Sequence, residues 1–269
     1  MKNQKPYDRT RLFSSPFSKD FWISAAREFT SVRSLCVCAL IVALRVALKS
    51  ISIEVAPSLS ITFGFFANAL GSMIYGPLAA LVGGAVSDTL GALIFPSGPY
   101  FFPFIFVEML GSFLFALFLY RQKVSVLRVF LSRFAVSFLC NIICTSALMI
   151  PYYQIFYNKD YTFLTLPRVI KNIMLFPAES VLLVLFLNAL LPALSSLGFL
   201  PKTQRMKFTK KNVFLLVVLT LVCLLLSAVL YILYIYLKDK VASSFGSYFF
   251  SQLRAFVDFI KSAVASALN

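Results

Sequence analysis

Residues 34–51 read SLCVCALIVALRVALKSI, an apolar run broken only by Arg45 and Lys49. A helix needs about 20 mostly apolar residues to cross a bilayer, and this stretch is close to that length. Within it Ala39, Ala43 and Ala47 recur every fourth residue and form one stripe of small side chains on a helix. At 100° per residue Arg45 falls on nearly the opposite side. The helix therefore has a flat face that another helix can approach and a cation turned the other way. The stripe fits either packing within the chain or docking of a partner.

Similar runs follow at about 59–76, 78–95, 103–120, 127–150 and 170–195, with another at 213–237 after a basic break. Gly76-Pro77 is a turn signal that leaves almost no loop, so the second and third spans should form a close hairpin. The expected fold is an all-α integral membrane protein, a six-helix bundle followed by an extra transmembrane helix and a terminal amphipathic helix. Composition agrees. Of 269 residues, 60% are hydrophobic and 13% charged, whereas soluble domains average about 45–50% apolar and about 25% charged.

The chain contains no His, which argues against a zinc hydrolase and most general-base arrangements. No enzyme activity, metal or other cofactor is expected. Five cysteines lie in apolar runs without a CxxC pair and read as small core residues. The net charge of +15 sits mainly at the ends of apolar runs, which points to the lipid membrane and not to nucleic acid.

Loop charge sets the expected orientation. One set of connections holds Lys2, Lys5, Arg9 and Arg11, then Arg121, Lys123 and Arg128, then Lys202, Arg205 and Lys207; the alternate set holds little beyond Lys49 and Lys159. The N-terminus is thus expected in the cytoplasm, without a cleaved signal peptide. The chain divides into a cytoplasmic segment 1–33, a six-helix membrane domain 34–198, a basic cytoplasmic linker 199–212, a seventh span 213–240 and an amphipathic helix 241–269. In the last, Phe249, Leu253, Phe256, Ile260 and Val264 recur at helical spacing.

An ionisable group inside a span costs about 2.5–3.5 kcal/mol on insertion scales, so each needs a partner, a wet cavity or a function. Arg45, Asp88, Glu108, Arg168, Lys171 and Glu179 qualify. Arg168, Lys171 and Asn172 share a helix face that suits an anion, although snorkelling to the interface also fits. Asp88 lies between Gly84 and Gly91 on one face, where a ligand or a neighbouring backbone can come close. Asn141 and Thr145 add a polar face. The loop Phe95-Pro96-Ser97-Gly98-Pro99-Tyr100-Phe101-Phe102-Pro103 is rigid and aromatic, suited to an interfacial belt or to a wall on which a planar ligand stacks. The loop between the first two spans, with Lys49, Glu54, Pro57 and Ser58, reads as a lid because it faces outside.

The alanine stripe, the run Gly83-Gly84-Ala85-Val86-Ser87-Asp88-Thr89-Leu90-Gly91-Ala92 leading into that loop, and Arg168-x-x-Lys171-Asn172 together resemble the substrate-binding S component of energy-coupling factor (ECF) transporters. The loop and the Arg-x-x-Lys-Asn element resemble its folate-binding branch, and the likeness covers about residues 33–198. It implies a multi-pass protein of the bacterial cell membrane that captures folate or a related vitamin with high affinity. It also implies association with a transmembrane coupling protein through Ala39, Ala43 and Ala47, and with two cytoplasmic ATPase subunits. No Gly-x-x-x-x-Gly-Lys element occurs in these residues, so ATP chemistry falls to the partners. On this likeness Arg45, Arg168 and Lys171 would pair with ligand carboxylates, Tyr100 and Phe101 would cover a ring beside Gly98, and Asn141, Asn172 and Asp88 would address polar edges. Riboflavin and thiamine are alternative vitamins, and a proton-coupled secondary transporter is an alternative class.

Overall fold

The computed structural model describes residues 12–13, 15–56, 59–96, 98–200, 206 and 210–237. The first apolar run is a helix, α2 (Val32–Lys49). Ala39, Ala43 and Ala47 lie on its exposed side while Arg45 is buried, the two-faced arrangement read from the spacing.

A helix that the sequence reading did not separate from the N-terminal segment precedes it. α1 (Lys19–Phe29) begins where the Ser18 hydroxyl accepts from the Phe21 amide, a cap that satisfies one orphan donor. It meets α2 at 80°. Phe21, Ser24, Ala25 and Glu28 form its buried face at helical spacing. Phe21 packs edge-on against Tyr120 at 5.3 Å. Glu28 forms an ion pair with Arg121 at 2.8 Å, both buried, and also accepts from Ser34. Arg121, grouped above with loop charges that orient the chain, is instead an interior partner of α1. The segment 1–33 is thus partly built into the bundle.

Between α2 and the next helix lies an antiparallel pair, β1 (Ser52–Ala56) and β2 (Leu59–Thr62), with Ser52 opposite Thr62 and Glu54 opposite Ser60. Pro57 and Ser58 fall outside the described residues. The second span was expected from 59, but 59–62 is strand and the helix starts at Gly64. Four apolar and hydroxyl residues before a Phe-Gly pair read equally well as helix or strand, and here strand pairing satisfies their backbone groups.

α3 (Gly64–Ile94) contains Gly76 at φ 78°, ψ 179°, followed by Pro77. Only glycine adopts that conformation without strain. A Cβ built at Gly71 would collide with the Tyr75 hydroxyl, and one at Gly83 would stand 3.4 Å from the same atom. Twelve residues of unbroken helix would separate those positions by about 18 Å. The chain therefore reverses at Gly76-Pro77, and the two limbs of α3 form the hairpin expected there. The second limb packs closely on α4 (Phe104–Leu119): a Cβ at Gly84 would lie 2.9 Å from the Glu108 carbonyl oxygen and from Ser112 Oγ.

α5 (Val126–Ala135) continues through a π-helical segment, Val136–Cys144, into α6 (Thr145–Tyr157). α7 (Leu166–Ser196) completes the bundle, and α8 (Lys210–Leu237) packs against α7. Phe115, Leu119, Leu183, Leu187 and Leu191 are wholly buried in the core. By length and composition the Val126–Tyr157 unit and Arg168–Ser196 can each cross a membrane, α3 is equally apolar but reverses midway, and α1 with α2 passes the same test as a bent pair. α8 is helical over 213–237 of the expected seventh span, where Val217–Leu230 counts as a shorter apolar helix, and 238–240 lie outside the described residues. The amphipathic segment 241–269 and most of the 199–212 linker lie outside the described residues.

Candidate functional site

Two adjoining cavities open among α2, α3, α4 and the α5–α6 unit. The larger, about 550 Å³, is walled by Lys49 of α2, Asp88 and Gly91 of α3, and Gly98, Tyr100 and Phe101 of the following loop. Phe104 and Glu108 of α4, then Asn141, Thr145, Tyr152, Tyr153 and Tyr157 along the π segment and α6, complete it. The smaller, about 210 Å³, is lined by Arg45, Asn68, Arg133 and Phe65 and shares Lys49, Glu108 and Asn141 with the larger.

The aromatic wall follows from local geometry. Proline and glycine shape the Phe95–Pro103 loop, and Phe101 packs against Phe104 at 5.5 Å and Tyr152 at 5.8 Å. A Cβ at Gly98 would stand 3.0 Å from the Tyr152 hydroxyl, so the missing side chain lets the loop close on that ring. Tyr153 stacks on Tyr161 at 4.8 Å. These tyrosines were not singled out from sequence, although the Tyr152-Tyr153 pair after Pro151, with Tyr157 and Tyr161 beyond, is a readable aromatic cluster at a span end.

The charges inside the bundle are largely matched. Arg45 donates to Glu108 Oε2 at 2.8 Å and to Ser112 Oγ at 2.9 Å. Lys49 Nζ donates to Asp88 Oδ1 at 2.9 Å. Arg133 pairs with Glu179 and lies over the Phe65 ring, 4.5 Å from its centre. Arg133 was overlooked because it sits near the start of an apolar run, where a cation reads as an interfacial charge. Its role as the partner of Glu179 depends on α5–α7 packing that no local pattern reveals.

Of the residues singled out from sequence, Asp88, Gly98, Tyr100, Phe101 and Asn141 meet around the larger cavity. Asn141 also faces the smaller one with Arg45, and its amide has no hydrogen-bond partner among the described residues. A π segment adds one residue to the helical turn and shifts the face that follows, a feature common at functional sites. Here it contains Asn141.

Arg168, Lys171 and Asn172 line neither cavity. The Arg168 guanidinium lies 5.6 Å from the centre of the Tyr161 ring, so it stands behind the Tyr161–Tyr153 stack that borders the larger cavity. Its Nη1 is buried without a partner among the described residues. Asn172 donates to the Arg168 carbonyl at 2.9 Å. Lys171 is half-buried and makes no ion pair among the described residues.

Comparison with known proteins places this architecture. The profile of the family described as "ECF-type riboflavin transporter, S component" matches residues 29–192. A protein of Clostridium novyi (strain NT) named "Folate transporter FolT" is 35% identical over 127 residues, 47% of this chain and 72% of the relative. A Leuconostoc mesenteroides subsp. mesenteroides protein of the same name is 29% identical over 150 residues, 55% of this chain and 80% of the relative. A solved structure titled "Crystal structure of FolT bound with folic acid" aligns at 30% identity over 56% of this chain and 88% of that one, with a TM-score of 0.49.

Proposed function

The chain belongs to the S-component family of ECF transporters, and from that premise we propose that it captures folate in the larger cavity. As a member of that family it is a multi-pass membrane transport subunit and not an enzyme. The observation that carries the folate reading is the cavity's make-up: a rigid aromatic wall with a few polar groups, at about 550 Å³. Small-molecule sites typically span about 300–1,000 Å³ and combine those two features. Folate offers a planar pterin, an aromatic linker and a glutamate tail with two carboxylates. The two FolT-named relatives support the same vitamin.

In this reading Tyr100 and Phe101 cover a ring, with Gly98 keeping the loop close, while Asp88 and Asn141 address polar edges. Arg168 and Lys171, which line neither cavity, serve the end of the carboxylate tail where it extends past the Tyr153–Tyr161 stack, and Asn172 holds that turn of α7 through the Arg168 carbonyl. Arg45 contributes through Glu108, because its guanidinium is already shared between Glu108 and Ser112. The exposed stripe of Ala39, Ala43 and Ala47 docks the transmembrane coupling protein, and two cytoplasmic ATPase subunits supply the energy. The N-terminus lies in the cytoplasm. Residues 34–198 form the capture domain, with 199–212 as linker and 213–240 as an added span.

Riboflavin is the second reading, favoured by the description of the matching family profile. Titration of the purified chain separates the two: saturable folate binding with riboflavin at least about 100-fold weaker supports the proposal, and the reverse order refutes it. Uptake of folate into liposomes only when the coupling and ATPase subunits and ATP are present tests the partners. Uptake by this chain alone under a pH gradient would favour a self-sufficient proton-coupled carrier.

A further inference from the structure

We propose that Glu108 selects the ligand's heterocycle, its carboxylate accepting two adjacent N–H groups of a 2-amino-4-oxopyrimidine edge. This rests on the folate reading and assigns its specificity to one side chain. Glu108 borders both cavities. Its side chain is 39% exposed where that of Arg45, its partner, is 6% exposed. Oε2 accepts from Arg45 at 2.8 Å, while Oε1 has no partner among the described residues. A buried guanidinium thus fixes a carboxylate whose second oxygen is unused. An ionised carboxylate has about four lone-pair sites, so the Arg45 bond leaves capacity for two more donors.

The surroundings suit a flat ring presented edge-on. Phe104 precedes Glu108 by one helical turn on α4, about 6 Å along the axis, and both line the larger cavity. Phe101 and Tyr152 pack against Phe104 at 5.5 and 5.6 Å. A heterocycle lying on this wall directs an edge toward Glu108. Asn141, with its unpartnered amide, borders the same space and supplies a donor for the 4-oxo group. Asp88 is a weaker candidate, since its side chain is 10% exposed and held by Lys49.

The chemistry then discriminates. A 2-amino-4-oxopyrimidine presents an amino N–H and a ring N–H side by side, which is the pattern one carboxylate accepts. An isoalloxazine presents a ring N–H between two carbonyls, so a carboxylate there faces two acceptors. Glu108 therefore favours pterins and opposes flavins, which separates this chain from the vitamin in its family's description.

The test is a two-by-two titration of the full chain, native and Glu108→Gln, against folate and an analogue whose 2-amino group is replaced by oxygen with the same tail. The native protein is expected to prefer folate by on the order of 100-fold, the scale of losing one charge-assisted hydrogen bond. Glu108→Gln should cut that preference below tenfold, because the amide N–H can face the new carbonyl. Equal weakening of both ligands would reduce Glu108 to a structural role and overturn the proposal. Glu108→Asp keeps the charge for Arg45 but shortens the reach, so it tests the same point if the amide variant does not fold: loss confined to folate supports the assignment, and equal loss sinks it. Native protein that binds both ligands alike would end the proposal while leaving folate capture standing, whereas native protein that binds no folate would remove the functional reading itself.

Discussion

Gly83 and Gly84 are neighbours in the second limb of α3, yet the structure predicts different outcomes for the same substitution. A Cβ at Gly84 would stand 2.9 Å from the Glu108 carbonyl oxygen, 2.9 Å from Ser112 Oγ and 3.1 Å from Met109 Cα. Two of those three are backbone atoms of α4, so relief requires separating the two helices. Forcing extra carbon into a packed interior costs about 1–3 kcal/mol. A Cβ at Gly83 would meet the Tyr75 hydroxyl, Cys38 Sγ and Val42 Cγ2 at 3.4–3.6 Å, ordinary van der Waals contact. Alanine there gains at most about 1 kcal/mol of helix propensity, and less in a bilayer, where the unfolded reference is itself hydrogen-bonded helix. Thermal unfolding of the purified variants in one detergent should therefore show Gly84→Ala clearly destabilised and Gly83→Ala equal to native or slightly better. Because Glu108 and Ser112 border the Gly84 contact, Gly84→Ala should also weaken ligand binding. Equal stability of the two variants would refute the close α3–α4 crossing.

Other perturbations probe separate parts of the account. Arg133→Met should destabilise by about 3–5 kcal/mol by leaving Glu179 buried without its partner, and adding Glu179→Leu should recover most of that loss; melting curves that show simple additivity would deny the pairing. Gly98→Val should weaken folate binding by about tenfold through displacement of Tyr152, while changing stability by no more than about 0.5 kcal/mol, as a loop substitution away from the core does; unchanged affinity in calorimetry would separate the loop from the site. Ala43→Trp should leave vitamin binding intact and abolish co-purification with the coupling protein, and normal assembly would disprove docking on α2. Arg168→Ala should lower folate affinity while sparing an analogue that lacks the glutamate tail, and equal effects on both would remove Arg168 from the tail.

The features readable from the sequence were those set by short-range periodicity. The alanine stripe and Arg45 lie four and two residues apart, so one helix decides that they face opposite ways. Gly76-Pro77 encodes a reversal because its conformation is local. Asp88, Gly98, Tyr100 and Phe101 come together because the chain runs directly from α3 into the aromatic loop. The partners of buried charges were not readable. Arg45 and Glu108, or Arg133 and Glu179, meet only through helix packing, and an intramembrane charge announces the need for a partner without naming it. α1 escaped because its buried face contains Ser24 and Glu28, which makes its residues look like a polar tail. Strand β2 escaped because a few apolar residues carry too little period to separate strand from helix. The placement of Arg168 against Tyr161 followed from neither cause: the ring comes from the connection just before α7, whose path helical spacing does not set.

The most direct test of the central claim is a calorimetric titration of the purified full chain with folate, riboflavin and thiamine under one set of conditions. Selective folate capture predicts one saturable site with folate binding in the nanomolar range, about −12 kcal/mol, and at least 100-fold weaker binding of the other two. Tight riboflavin or thiamine binding with no heat from folate would contradict it.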